Sequence, residues 1–162
     1  MPTLTLQPAE NDLTNRDTHV ADGVLANNNF GSDIYLLVGT QDVSKEANSR
    51  YRSILRFDLT SLAGASIVGA TLMLTASHGS FTNETFAIHR LTQPSWTEFG
   101  ASWNAYDVGH PWAIPGGDFD STPAQSLFIP FVQNLVFDQL KPLVEDALLN
   151  RGGILDVLVK GT

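Results

Sequence analysis

Cysteine is missing altogether from this chain of 162 residues. That rules out a disulfide scaffold, a thiol nucleophile and cysteine-ligated zinc, and it leaves the redox compartment open. Basic residues are scarce: 9 Lys and Arg stand against 17 Asp and Glu, for a net charge of −8. A phosphate backbone would be repelled, and no Lys/Arg cluster supplies the basic stripe that nucleic-acid binding needs. The same acidity argues against an anionic membrane surface as a partner. Long apolar runs are lacking too, since stretches such as "LFIPFV" are far too short to span a bilayer. The N-terminal "MPTLTLQPAEND" has no basic stretch leading into an apolar core, so it does not read as a secretory signal. The expectation is synthesis in the cytoplasm and release by lysis or within a particle, unless a leader has been removed.

Reactive motifs are also absent. No GxSxG, HExxH, Walker or GxGxxG pattern occurs. His19, His78, His89 and His110 are scattered without metal-ligand spacing, which reads as solvated or hydrogen-bonded structural roles. No metal site is expected from them.

What the chain does have is alternation. "TLTLQ" puts Leu4 and Leu6 on one face, and "DIYLLVG" reads as a second short strand ending at Gly39. "SILRFDL" sends Leu55, Phe57 and Leu59 inward and Ile54, Arg56 and Asp58 to the other face. "GATLMLTA" separates Ala70, Leu72 and Leu74 from Thr71, Met73 and Thr75. "TFAIHRL" and "SLFIPFV" follow, with Pro130 marking the latter as an edge strand or a bulge. "GILDVLVK" aligns Leu155, Val157 and Val159 late in the chain. Clusters of Gly, Asn, Asp, Ser and Pro separate these runs.

One stretch keeps helical time. In "FDQLKPLVEDALLNRGG", Leu140, Leu143, Val144, Ala147 and Leu148 follow the i, i+3, i+4, i+7, i+8 pattern. Asp138 is the expected N-cap, and Gly152 or Gly153 the expected stop. Pro142 is tolerable in a first turn. Many short strands, one helix near the C-terminus and no βαβ alternation predict an all-β fold, a jelly-roll-like antiparallel β-sandwich in one domain over 1–162.

The loops offer candidate chemistry. Glu98, Asp107, Asp118 and Asp120 contain enough carboxylates for an acid/base pair, which a glycosidase would hold roughly 5–10 Å apart. Asp118 and Asp120 in "GGDFD" are hard oxygen donors suited to calcium, though without the rest of an EF-loop pattern. Asn83 opens the sequon "NET". Trp96, Trp103 and Trp112 share one aromatic segment with Tyr106. Their flat faces, beside Asn104, are candidate sugar contacts. The alternative is that a long loop anchors itself by burying them with each indole N–H satisfied.

Taken in order, several motifs resemble the DNRLRE-type domain, a carbohydrate-binding-module-like β-sandwich with disaggregatase-associated relatives. They are "DTHV" at 17–20, "NNFG" ending at Gly31, "LLVG" ending at Gly39 and "RSILRFDLTSLAGASIVGATLML". The series continues through "IHRLTQPSWTEFGASWN", "PGGDF", "FDQL" and "GGILDVLVKG", so that it covers nearly the whole chain. The resemblance implies a non-catalytic jelly-roll module, of a kind found in secreted proteins that bind polysaccharide or cell surfaces and in bacteriophage virion proteins. It makes Asp17, Arg56, Asp58 and Glu98 part of a structural signature, with Arg56 and Asp58 expected as a lateral i, i+2 charged pair. It also implies one or two further strands after the last run, so the chain is expected to lack the family's final strand or strands. A sheet edge would then be left open for a partner.

The main functional expectation is a non-enzymatic structural virion protein, a capsid decoration or cement or a tail- or fibre-associated sandwich. It would touch virion proteins or identical copies. The alternative is a carbohydrate-binding module, outside the cell or at its surface, engaging polysaccharide through the loop aromatics.

Overall fold

Period-two alternation commits residues 47–58 to an extended strand, and it gives that strand two unlike faces. The computed structural model describes residues 3–8, 14–44, 47–76, 83–131 and 133–162; His78 and Val132 lie outside them. In chain order the elements are β1 (Arg16–Ala21), β2 (Gly39–Ser44), β3 (Ala47–Asp58), β4 (Leu72–Leu74) and β5 (Glu84–Arg90). They continue as β6 (Ala105–Asp107), β7 (His110–Pro111), β8 (Gln125–Ile129), β9 (Leu135–Phe137), α1 (Lys141–Asn150) and β10 (Ile154–Gly161). The main sheet has six antiparallel strands in the order β1-β3-β10-β5-β8, with β2 paired to β3 as well. Strands β4 and β9 form a thinner second layer, and β6 with β7 a small ribbon. The fold is a β-sandwich with one short helix, as the alternation predicted.

The first face of the main sheet carries Leu55, Phe57, Leu59, Phe86, Ile88, Leu155, Val157 and Val159, all buried in one core. Phe137 of β9 and Val144 and Ala147 of α1 close over it. Each such side chain contributes about 1.5–3 kcal/mol on leaving water. Between the main sheet and the thin layer lies a cleft of about 1610 Å3, lined in part by Leu6, Leu36, Val38, Leu55 and Phe86.

Four expectations need correction. Residues 3–8 and 33–38 are not strands. Leu6, Leu36 and Val38 still pack on the core, so burial of alternate side chains was achieved without ladder pairing. Asp138 does not cap the helix; its Oδ1 accepts a hydrogen bond from Gln125 Nε2 at 3.0 Å. Leu140 stands at the N-cap without a side-chain bond, and Pro142 in the first turn removes one donor a cap would otherwise satisfy. The predicted stop is present: Gly152 and Gly153 have φ of 62° and 84°, and the Gly153 N–H donates to the Ala147 carbonyl at 2.9 Å. Finally, β10 is not an open edge. It is bonded to β3 on one side and β5 on the other, while β8 ends the sheet just before Pro130. Among the described residues no helix is long and apolar enough to cross a membrane.

Candidate functional site

The second face of the main sheet is built from Arg16, Thr18 and Val20 of β1, Arg52, Ile54 and Arg56 of β3, and Asp156, Leu158 and Lys160 of β10. Residues paired across antiparallel strands share a face, and Arg16 faces Arg56, Asp156 faces Arg56 and Lys160 faces Arg52. This face is also buried, because the loop carrying the tryptophans folds over it. Val20, Ile54, Leu91, Trp96, Trp103, Trp112 and Leu158 make a second core there.

A loop used as a lid brings backbone polar groups that need partners. The arginines supply them. Arg56 Nε and Nη2 reach Asp156 Oδ1 and Oδ2 at 2.7 and 2.9 Å, and Nη2 also donates to the Pro94 carbonyl. Trp96 Nε1 donates to the same Asp156 Oδ1 at 2.7 Å. Arg16 Nη1 reaches the Trp96 carbonyl at 3.1 Å. Trp96 lies between Arg16 and Arg56, whose guanidinium carbons stand 5.3 and 5.6 Å from its ring. Burial, followed by the charge of Arg56, lowers the Arg16 pKa from its ordinary value.

Trp96, Trp103 and Trp112 are only 0%, 6% and 4% exposed. Trp112 Nε1 donates to the Ser102 carbonyl at 2.8 Å. The expectation that these indole faces meet a sugar is therefore corrected: arginines, sheet and loop already cover them. Asn104 is exposed, and its Nδ2 donates to Asn27 Oδ1 at 2.8 Å, tying two loops together. Glu98 anchors the lid through its main chain, its carbonyl accepting from Asn29 Nδ2 at 2.7 Å. Gly31 sits against that carbonyl so closely that a Cβ there would clash.

The expected Arg56–Asp58 pair is likewise replaced. Arg56 reaches sideways to Asp156 on the neighbouring strand, where the register places it directly opposite. Asp58 turns the chain instead, its Oδ1 accepting from the Thr60 N–H and hydroxyl at 2.8 and 2.6 Å. Asp17 lies on the apolar side of the sheet beside the cleft, and burial raises its carboxyl above the usual value.

The loop carboxylates have separate structural partners. Asp107 accepts from Thr97 Oγ1 at 2.6 Å. Asp118 accepts the Ala113 and Ile114 N–H groups at 3.0 and 2.8 Å. Asp120 accepts Arg90 Nε at 2.7 Å. Among the described residues no group of three or more His, Asp or Glu side chains converges to hold a metal. His19 is buried and stacked on Phe30 at 4.4 Å between centroids, and His110 is exposed. Asn83 is exposed, in a left-handed conformation at φ 56°.

Residues that escaped the sequence reading form a cationic ledge at the margin of the lid. Arg52 lies 4.5 Å from the Trp103 ring and 5.3 Å from that of Phe119, and donates to the Gly116 carbonyl at 2.7 Å. Arg50 approaches Trp103 from 5.2 Å. Lys160 faces Arg52 across the strand pair. Among the described residues neither Arg52 nor Lys160 makes a salt bridge. Both pKa values are held below their ordinary positions, Arg52 by burial and then by Arg50, Lys160 by burial and then by Arg52. His89 lies beside them, its Nδ1 2.8 Å from the Asp120 carbonyl. A carbonyl only accepts, so Nδ1 carries the hydrogen and Nε2 keeps a lone pair. That Nε2 is buried without a partner among the described residues. Burial first, and the charges of Lys160 and Arg52, lower the His89 pKa. The signal for the ledge was present in "RYRSILR", where Arg50, Arg52 and Arg56 recur on even positions.

The family model for carbohydrate-binding module family 96 matches residues 10–108. That span holds β1 to β6 and, with Trp96 and Trp103 but not Trp112, most of the aromatic lid. Among curated proteins no match is found.

Proposed function

The chain belongs to carbohydrate-binding module family 96, and from that premise we propose that it binds a carboxylate-bearing polysaccharide at the ledge of Arg52 and Lys160. The observation that carries this reading is two neighbouring cations, Arg52 and Lys160, facing each other across β3 and β10 with no direct salt bridge to a carboxylate among the described residues. Like charges held side by side are costly, and a carboxylate from outside relieves both at once. A guanidinium offers such a group two parallel hydrogen bonds, and an ammonium adds a mobile point charge. Neutral glycans are the weaker fit, because the indole faces they would stack on are covered.

A carbohydrate-binding module is a non-catalytic domain, and its partner is a polysaccharide outside the cell or at its surface. The family match favours this function over the virion role, which has no support of its own from the fold or the comparisons. Affinity electrophoresis against polygalacturonate and against neutral xylan tests the reading. Retardation by polygalacturonate alone, weakened by added salt and about tenfold or more by Lys160→Gln, is the expected result. Equal retardation by xylan, or polygalacturonate binding indifferent to both Lys160→Gln and Arg52→Gln, would refute it.

A further inference from the structure

Strand β8 is the last strand of the main sheet, and among the described residues β5 is its only strand partner. The register from Gln125 to Ile129 against β5 is unbroken, with no bulge to twist the edge away. Natural sheets guard such edges with lysine, inward charge, proline or a bulge. Here Pro130 comes only after the strand has ended, and from Ser121 through Phe137 there is no charged residue. Phe128 and Phe131 are each 61% exposed on this border. Elsewhere the acidic surface makes two copies repel one another. Within β8 itself that repulsion has no source: Glu84 stands on the inner neighbour β5, opposite Ile129, and Asp138 is engaged by Gln125 Nε2.

We propose that β8 pairs with β8 of a second copy, antiparallel and about a two-fold axis normal to the sheet. The strand fits itself in reverse. A register centred on Phe128 sets the two Phe128 rings side by side, Leu127 opposite Ile129 and Ser126 opposite Pro130, whose missing N–H ends the ladder. The pleat is respected, because residues of equal parity meet. Such an axis turns the second faces of both sheets to the same side. On the reading that Arg52 and Lys160 hold polysaccharide, the pair then presents two ledges to one chain, and avidity exceeds either single affinity.

Sedimentation equilibrium of the full chain without glycan tests this. A dimer mass that dissociates on dilution is expected, with Phe128→Lys and Ser126→Lys each raising the dissociation constant about tenfold or more while the circular dichroism is unchanged. Because the chain has no cysteine, Phe128→Cys should oxidise to a covalent dimer, whereas Leu149→Cys, on an 81% exposed helix position, should not. A monomer at every concentration overturns the proposal, as does association that survives both lysine variants or equal cross-linking at 128 and 149. Glycan binding is read separately, so the failure of one proposal leaves the other standing.

Discussion

Replacing Asp156 with alanine removes one carboxylate and strands two buried donors. Asp156 is 6% exposed, Arg56 8% and Trp96 0%, so water cannot take over the lost bonds. Removing one partner of a buried ion pair costs about 3–5 kcal/mol, chiefly because the surviving charge is left uncompensated. The orphaned Trp96 N–H adds part of a further 1–3 kcal/mol, which overlaps the first term because both donors share Oδ1. About 4 kcal/mol is a large share of the roughly 5–15 kcal/mol that holds a domain together. With a urea slope of about 2 kcal/mol/M, the midpoint should fall by about 2 M. The decisive companion is Arg56→Met combined with Asp156→Leu, which removes both charges and should recover at least half of the loss. If Asp156→Ala costs under about 1 kcal/mol, or the double variant is no better than the single, the stranded charge is not what the pair guards against.

Acid should weaken the fold through its buried histidines. Burial lowers the His19 pKa from its ordinary value, with Asp33 at 3.7 Å opposing the shift. The unfolded chain therefore takes the proton first. The stabilisation is full above about pH 6.5 and is lost as the pH falls below that toward the folded value. Melting temperatures at pH 7.5 and 5.5 should diverge in the native chain and converge in His19→Phe; an unchanged slope would contradict the linkage, with His89 left as the remaining contributor in the same direction. Asp17 runs the other way. Its raised carboxyl means that ionisation costs stability above the folded value, and the cost vanishes below the unfolded one near 3.8. Asp17→Asn should raise the stability at pH 7 by under about 1 kcal/mol, read as a higher urea midpoint, since water still reaches the half-buried group, and should do nothing near pH 3. A lower midpoint at pH 7 would reverse the argument.

The strands readable from sequence were those whose alternation and pairing agree. Leu55, Phe57 and Leu59 against Ile54 and Arg56 could be divided between two faces from "SILRFDL" alone, and the late Leu155, Val157 and Val159 run likewise. Alternation misled where ladder partners were lacking: residues 3–8 and 33–38 bury Leu6, Leu36 and Val38 without joining a sheet. Asp156 could not be found from its neighbours in the chain, because its partners Arg56 and Trp96 lie 100 and 60 positions away. The i, i+2 pairing of Arg56 with Asp58 failed for a related reason. Residues two apart on a strand share a face but stand farther apart than residues opposite each other on neighbouring strands. The ledge was partly legible, since Arg50, Arg52 and Arg56 share a parity, but Lys160 joins them only through the β3–β10 register.

Why the tryptophans turn inward and the cations lie at the margin follows from the kind of cover this sheet receives. A second sheet satisfies its own backbone, and apolar side chains suffice beneath it. A loop does not, and the lid over this face leaves carbonyls of Pro94, Trp96 and Gly116 to be bonded from below. Arginine carries five donors on a stem that packs against indole rings, so one residue type answers both the polar and the apolar demand. Deep under the lid Arg56 is neutralised by Asp156. Toward the margin Arg52 keeps its carbonyl bond but meets Lys160, a second cation. The outermost of the periodic arginines, Arg50, is paired with Asp22, so on the proposed reading it is Arg52 and Lys160, where the lid ends, that would receive an anionic chain.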